Sequence, residues 1–232
     1  MMRLRVATIA AAVALALAGC TPTPPPAPTP TPKVTASADA DVNAHDPATL
    51  RDGGMVRLPV PSLPASWNPW RKGADQGLAG WMLEPLRAPW IVCDPAGRPT
   101  PNPDLLASAS ADHTGGRTVV TLRINDKAVW GDGTPIRAAD WVATWKALSG
   151  RSSGVEPATL PGWKRVAATA AGASEREVVI TYTRVDPDWA EPLVDGPARV
   201  GSVADAATFN RGWSTVQPGW FAGPFVLTHV DR

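Results

Sequence analysis

The chain has 232 residues, of which 44% are hydrophobic and 19% charged, and its formal net charge is +1. This composition is typical of a globular protein, and roughly 180 residues outside the N-terminal region are enough for one hydrophobic core. It excludes a usual nucleic-acid-binding surface, because there is no basic block or basic stripe with interleaved aromatic residues, and we expect no nucleic-acid partner.

The N-terminus has the pattern of an export signal. Arg3 and Arg5 precede an uncharged run of small and apolar residues at 6–18, which corresponds to the n-region and h-region of a signal peptide. The run is shorter than the roughly 20 residues that a permanent membrane-spanning helix needs. We therefore predict a signal peptide at residues 1–19.

The signal ends in a lipobox, the cleavage motif of bacterial lipoproteins. The motif reads Leu17-Ala18-Gly19-Cys20, with small residues before the cleaved bond and a thiol that accepts the diacylglyceryl group. Each buried acyl methylene contributes about 0.8 kcal/mol, so two or three acyl chains make a stable anchor. We expect lipidation of Cys20 and a location on the extracytoplasmic face of the cell membrane, although a cysteine placed there by chance is the alternative.

A proline- and threonine-rich tether is predicted at residues 20–47. Residues 21–32 read TPTPPPAPTPTP, and proline at this density favours an extended polyproline II spacer. Recognition by an SH3-like partner is the alternative. Asp39, Asp41 and Asn43 imitate the start of a calcium loop, but the glycine and glutamate that such a loop needs later are missing, so these residues are assigned to the tether.

The remaining sequence alternates between predicted strands and helices. Apolar residues recur with a period of two, which indicates half-buried strands, at residues 55–60, 118–124, 177–183 and 225–230. Helical spacing is found at residues 138–148, and a second helix is expected at 76–86, ending near Pro85. Strands and helices mix, which indicates an α/β fold.

The most specific segment spans residues 118–145 and combines a strand, a tryptophan, a tight turn and a helix. It reads TVVTLRINDKAVWGDGTPIRAADWVATW. Asp132-Gly133 favours the turn and Pro135 stiffens the chain that enters the helix. Trp130, Trp141 and Trp145 are expected to pack in the core near this corner.

This segment is similar to the signature of the family 5 extracellular solute-binding proteins, the oligopeptide and dipeptide receptors of ABC importers. The resemblance covers residues 52–232, and further matches follow in the family's order: GGMVRLPV, SWNPW, WMLEPL, PNPDLLAS, EVVITYTRVDPDW and GPFVLTHVDR. One departure is Arg137, which stands where the family often has a threonine or another capping residue. Asp140, three residues later, could still stabilise the helix N-terminus.

The resemblance implies a first lobe of the periplasmic-binding-protein type II kind, a mixed sheet with flanking helices, at residues 48–232. Family members are typically more than twice as long, so the second lobe is expected to be absent. Three explanations stay open: a fragment of a longer product, a product shortened by a frameshift, and a genuine short lipoprotein.

The resemblance also implies that the protein captures short peptides or related solutes for an ABC permease, which an ATPase powers, without a cofactor and without making or breaking a bond. Trp67 and Asn68 are the preferred ligand-facing residues, and Phe221 and Gly223 are further candidates. The alternatives are a loop stabilised by tryptophan packing and, for Gly223, a requirement of the backbone. Without a facing lobe, we expect weak peptide binding.

Other interpretations of the sequence are less well supported. An envelope hydrolase lacks the HExxH and GxSxG motifs, and Asp186 and Asp188 are expected to be solvated carboxylates. A structural or interaction lipoprotein that reuses the receptor lobe is the main alternative function. Cys93 is expected to be a buried small apolar residue, or else to pair with a cysteine in sequence beyond this chain.

Overall fold

The computed structural model describes residues 46–74, 76–94 and 96–231. The predicted signal peptide, Cys20 and all but the last residues of the predicted tether lie outside these ranges. Within them, no helix has both the length and the apolar character needed to cross a membrane.

A four-stranded antiparallel sheet forms the centre of the described region. Its strands are β3 (Leu106–Thr114), β4 (Arg117–Ile124), β5 (Val166–Ala171) and β6 (Glu177–Tyr182), in the spatial order β3-β4-β6-β5. The hairpin between β3 and β4 turns at Gly115 and Gly116, whose φ angles are 61° and 74°. Positive φ at both turn residues matches the right-handed twist of the strands, and glycine adopts it without steric cost.

One face of this sheet packs against helix α2 (Ala138–Leu148). The buried residues alternate along the two central strands, with Val120 and Leu122 on β4 and Val178 and Ile180 on β6. Helix α2 buries Trp141 completely. The period-two pattern of the strands and the helical spacing of α2 therefore meet in one core.

Shorter elements surround this layer. Helix α1 (Gln76–Leu83) continues into a 3-10 turn at Glu84–Leu86, and helices α3 (Pro161–Arg165) and α4 (Ala206–Arg211) follow later in the chain. Strands β1 (Ile91–Cys93) and β2 (Pro99–Pro101) form a separate two-stranded antiparallel sheet. Further 3-10 turns are found at Pro47–Thr49, Glu191–Leu193, Val200–Ser202, Gly212–Ser214 and Pro218–Trp220.

Tryptophan side chains connect the core. Trp90 meets Trp141 edge to face with 5.3 Å between ring centroids, and Trp70 meets Trp213 in the same way at 5.9 Å. Such pairs contribute about 0.5–1.5 kcal/mol beyond the burial of their surface. The expected core packing of Trp130 and Trp141 is confirmed, while Trp145 is half-buried and donates its indole N–H to the carbonyl of Val166.

The strands predicted at residues 118–124 and 177–183 are confirmed as β4 and β6. The two predicted helices are confirmed as α2 and as α1 with its 3-10 extension, which contains Pro85. Proline has no N–H to donate to the preceding turn and its ring crowds that turn, so the regular helix ends at Leu83.

Two predicted strands are wrong for the described chain. Residues 55–60 and 225–230 are assigned to no strand. A strand needs a hydrogen-bonding neighbour, and no described segment pairs with either one. Their alternating patterns predicted an extended backbone, but alternation cannot supply the partner.

The expectation that Cys93 is buried is also wrong. The residue ends β1 in the small two-stranded sheet and is exposed. Only the first residue of this strand, Ile91, packs into the core, so the position of the cysteine is decided by where the short strand leaves the core.

Candidate ligand-binding groove

The loop at residues 66–70 is fixed tightly to the last third of the described chain. The backbone N–H of Trp67 donates to the carbonyl of Trp213 at 2.8 Å. Asn68 is completely buried; its amide donates to the carbonyl of Phe209 at 2.7 Å and accepts from the N–H of Trp70 at 3.0 Å. The amide of Asn68 therefore holds the loop in place through hydrogen bonds within the lobe.

Trp67 lies in the wall of a groove. Only 3% of its surface is exposed, and its indole N–H has no acceptor among the described residues. A buried donor without a partner costs about 1–3 kcal/mol. Of the four predicted ligand-facing residues, Trp67 is the one that lines the groove, and its buried indole N–H has no acceptor among the described residues.

The groove consists of two neighbouring cavities of about 430 and 240 Å³. We call it the Trp67 groove and define it by the residues that line both cavities: Trp67, Val216, Leu227, His229 and Val230.

The walls of the Trp67 groove are mainly apolar, with polar groups among them. Thr215 and Thr228 line the larger cavity, and His229 lies 2.5 Å from the carboxylate of Asp231. Ligand pockets commonly have volumes of about 300–1,000 Å³, with apolar walls and a few polar groups that orient the ligand. The larger cavity falls within this range, and the groove can hold one or two apolar side chains of an extended ligand.

Sequence reasoning did not identify Val216, Leu227, His229 or Val230 as part of the site. These residues lie about 150 positions or more from Trp67 in the chain. No local pattern brings them together; the one available signal is the alternation at residues 225–230.

The structure places Phe221 and Gly223 outside the Trp67 groove. Phe221 is 6% exposed, contacts the ring of Trp213, and accepts a hydrogen bond from the N–H of Gly131 at 2.7 Å. The cavity beside it measures about 20 Å³, room for about one water molecule. Gly223 donates its N–H to the carbonyl of Leu86 at 2.8 Å.

Gly223 is required by close backbone packing. A Cβ at this position would collide with the main chain of Leu86 and lie 2.7 Å from the backbone nitrogen of Arg87. We expect Gly223→Ala to lower the free energy of unfolding by about 1–3 kcal/mol, as overpacking does elsewhere. Gly201→Ala is the control, because nothing lies within 4 Å of the position that its added methyl group would take. Urea denaturation of both variants checks this, and equal stabilities would contradict it.

The Asp-Gly-Thr-Pro turn is tied to the segment that leads into the groove. The guanidinium of Arg199 donates to Asp132 at 2.6 Å, to the carbonyl of Gly219 at 2.7 Å and to the hydroxyl of Thr134 at 3.2 Å. Pro218, next to Gly219, lines the larger cavity. The signature turn thus helps to position one wall of the groove.

The carboxylate of Asp132 is held in its charged form. Hydrogen bonds from the side chain and backbone of Thr134, with the contribution of Arg199, lower its pKa from 3.8 to about 2. Because the pKa is lower in the folded state, this group stabilises the fold above about pH 4, and the stabilisation is lost as pH falls towards 2.

A pH titration of the Asp132 carboxyl signal by NMR is expected to have its midpoint near pH 2. In the variant Arg199→Gln, the midpoint should move upward, because the guanidinium no longer favours the charged form. A midpoint at 3.8 in the unmodified protein, or no change in the variant, would contradict the role assigned to this contact.

Away from the groove, Asp186 is not the solvated carboxylate that the sequence suggested. It is 5% exposed and accepts from Arg165 at 2.6 Å, while its backbone N–H donates to the hydroxyl of Thr118. Asp188 is exposed, as expected. Burial raises the pKa of the neighbouring Tyr182, whose hydroxyl donates to the carbonyl of Trp189. These hydrogen bonds attach the segment that follows β6 to residues of β4 and β6.

The residues that the structure describes contain no group of three or more histidine, cysteine or acidic side chains that could hold a metal ion.

Comparison with known proteins relates the chain to binding proteins. It is 32% identical over 195 residues to the oligopeptide-binding protein OppA of Mycobacterium tuberculosis and to that of Mycobacterium bovis, a match that takes in 82% of this chain and 32% of each relative. The chain therefore spans about a third of the length of the curated relatives that it matches. No family model matches it.

Solved structures show the same fold. The periplasmic EDTA-binding protein EppA superimposes with a TM-score of 0.62 at 21% identity, over 72% of this chain and 32% of that protein. NikZ from Campylobacter jejuni, in complex with Ni(L-His), has a TM-score of 0.55 at 15% identity, over 72% of this chain and 31% of its own. The described region is thus an α/β lobe of the periplasmic-binding-protein type II kind.

Proposed function

Because this chain belongs to the family 5 extracellular solute-binding proteins, we propose that it captures short peptides for an ABC importer. In this role it delivers the ligand to a membrane permease, and the importer's ATPase acts through that permease. The observation that carries the proposal is the identity with the oligopeptide-binding protein OppA over most of the chain. The role is binding without catalysis, as the names of the relatives suggest.

The Trp67 groove supports this proposal by its size and chemistry. An extended peptide would place an apolar side chain against Val216, Leu227 and Val230, which leave the aqueous phase on binding. The ring of Trp67 adds to this apolar wall. Its indole N–H is buried, so a peptide carbonyl would reach it only if the loop at residues 66–70 moved. Apolar contact of this kind tolerates many side chains, so the selectivity for sequence would be loose.

The lipid anchor at Cys20 completes the proposed role. Acyl chains on this residue would hold the lobe at the extracytoplasmic face of the cell membrane, next to the permease, and the proline-rich tether would keep it away from the bilayer surface. A captured ligand then needs to move only a short distance to the permease.

Peptide capture is tested by NMR with the full chain and an apolar tripeptide. We expect the indole N–H signal of Trp67 to shift and to saturate at a dissociation constant above about 10 μM, which corresponds to less than about 7 kcal/mol of binding free energy. The affinity is low because the described residues leave the groove open to solvent on one side, so a ligand would be only partly enclosed.

The matched control is Trp81, which is 49% exposed and does not line the groove; its indole signal should stay in place. Trp67→Phe replaces the indole by a smaller ring, which reduces the apolar wall of the groove, and should weaken binding several-fold. A Trp67 signal that does not respond would contradict peptide capture in this groove. A dissociation constant of about 1 μM or lower in calorimetry would contradict the low affinity expected of this open groove.

A further inference from the structure

A second groove follows the outer face of helix α2 and shares no lining residue with the Trp67 groove. Its volume is about 710 Å³, larger than that of either cavity of the Trp67 groove. We call it the α2 groove, and its apolar walls include Ala139, Val142, Ala143, Ala171, Val200 and Val203. Ligand pockets commonly measure about 300–1,000 Å³, so the α2 groove has room for a small molecule.

The outer face of α2 is unusually apolar for a helix at the surface. Ala139, Val142, Ala143 and Lys146 are three or four positions apart and therefore form one strip along the helix. The opposite face buries Trp141 in the core. A surface helix normally places charged and polar residues opposite its core face, but three of the four residues in this strip are small and apolar. Packing of the core does not require such a strip, whereas an apolar ligand would use it.

The wall that faces this strip comes from the 3-10 turn that begins at Val200. Val200 is 47% exposed, and Val203 is buried at the base of the wall. Hydrogen bonds fix this wall to α2: the backbone N–H of Val200 donates to the carboxylate of Asp140 at 2.8 Å, and that of Ala198 donates to the hydroxyl of Thr144 at 2.8 Å. Because the wall is held in place, the groove is preformed, and binding requires little rearrangement of the protein.

The two ends of the α2 groove differ in charge. At one end, the guanidinium of Arg137 pairs with the carboxylate of Glu175 at 2.6 Å. At the other end, about 13 Å further along the helix, Lys146 is exposed and takes part in none of the ion pairs within the described ranges. Ser152 lines the groove beside it and donates its backbone N–H to the carbonyl of Lys146 at 3.1 Å. This end therefore offers an ammonium group and a hydroxyl, both of which can donate to an anion.

We propose that the α2 groove binds a small amphipathic carboxylate, whose apolar chain lies along α2 and whose carboxylate pairs with Lys146. The charged side chains of the lining are two positive ones, Arg137 and Lys146, and one negative one, Glu175, so the groove favours an anion over a neutral or cationic molecule. The apolar strip from Ala139 to Lys146 is about 10 Å long, similar to an extended octanoate chain. This site is independent of peptide capture in the Trp67 groove.

The test titrates the full chain with octanoate and follows the methyl signals of Val142 and Val203 by NMR. We expect both signals to shift and to saturate with a dissociation constant below about 1 mM, while the indole N–H signal of Trp67 stays in place. Octanamide has the same apolar chain without the charge. It should bind about three- to fivefold more weakly, which is the ratio expected from the loss of one solvent-exposed ion pair.

Two substitutions separate the charge from the apolar strip. Lys146→Gln should lower the affinity for octanoate to that for octanamide and leave octanamide binding unchanged, a pattern that general damage to the fold would not produce. Val142→Glu places a charge in the middle of the strip and should weaken both ligands about tenfold, as followed on Val203. The control is Lys127→Gln, because Lys127 is exposed in the turn before α2 and does not line the groove; it should leave both affinities unchanged.

The proposal is overturned if the Val142 and Val203 signals do not respond to octanoate, if octanoate and octanamide bind equally well, or if Lys146→Gln binds octanoate as before. Signals that shift with protein concentration alone would assign the groove to a contact between copies of this chain, and a shift of the Trp67 signal instead would place octanoate in the other groove; both results also overturn it. Peptide binding is read separately on Trp67, so failure of either idea is recognised without the other.

Discussion

Asp140→Ala is expected to lower the free energy of unfolding by about 4 kcal/mol, because it leaves several buried donors without an acceptor. The carboxylate is 4% exposed and accepts from the backbone N–H of Arg137 at 3.0 Å, from that of Val200 at 2.8 Å and from the indole of Trp130 at 3.3 Å. These bonds hold together the start of α2, the tryptophan that precedes the signature turn and the segment after residue 199.

Asp140 also explains how helix α2 begins although Arg137 stands at the position of the usual capping residue. Arginine has no side-chain acceptor for the first turn of α2, but Asp140 accepts from the N–H of Arg137 and so provides the returning half of a capping box. The helix therefore begins at Ala138 even though the usual capping residue is missing.

Urea denaturation measures the effect of Asp140→Ala. Asp126→Ala is the control, because the side chain of Asp126 is exposed in a turn, and surface changes of this kind are usually within about 0.5 kcal/mol. Asp140→Asn should fall between the two, since it keeps one acceptor oxygen and places an NH₂ group against a donor. If Asp140→Ala were as stable as the control, these hydrogen bonds would not hold the fold.

Gly196→Ala is expected to lower the free energy of unfolding by about 3 kcal/mol, through both steric overlap and backbone strain. Its φ angle is 70°, and a Cβ would collide with the indole ring of Trp90. Trp90 is 3% exposed and stacks edge to face on Trp141. The ring cannot move without disturbing the contact between α2 and the rest of the core.

Gly150→Ala separates the two causes. Gly150 has a φ of 77°, close to that of Gly196, but nothing lies within 4 Å of the added methyl position. Backbone strain alone should cost about 1–2 kcal/mol, so the difference between the variants measures the collision with Trp90. Thermal unfolding of both variants checks this, and equal losses would show that Trp90 yields to the methyl group.

The sequence predicted elements whose stabilising features lie close together in the chain. Strands β4 and β6 alternate in hydrophobicity, and α2 carries its apolar residues at helical spacing. Asp132-Gly133 supports a turn through local geometry, and Gly133 adopts a φ of 81°. The resemblance based on these elements identified the family, because the order of strand, turn and helix is specific.

The candidate site was predicted only in part. Trp67 was expected to face a ligand and lines the groove, whereas Asn68, chosen with it, is buried and bonds to Phe209. Neighbouring residues of a loop point in different directions, and which of them faces the core depends on what packs against the loop. Phe209 lies 141 positions away from Asn68, beyond the reach of any local pattern.

By itself, the sequence determined the local backbone preferences that form β4, β6 and α2, and the family. Tertiary structure alone decided that Trp67 meets Val216 and Leu227 in a groove, that Asp186 is buried against Arg165, and that residues 55–60 have no partner in the described chain. The reason is physical: backbone preference depends on neighbours in sequence, whereas burial and strand pairing depend on residues that only folding brings close.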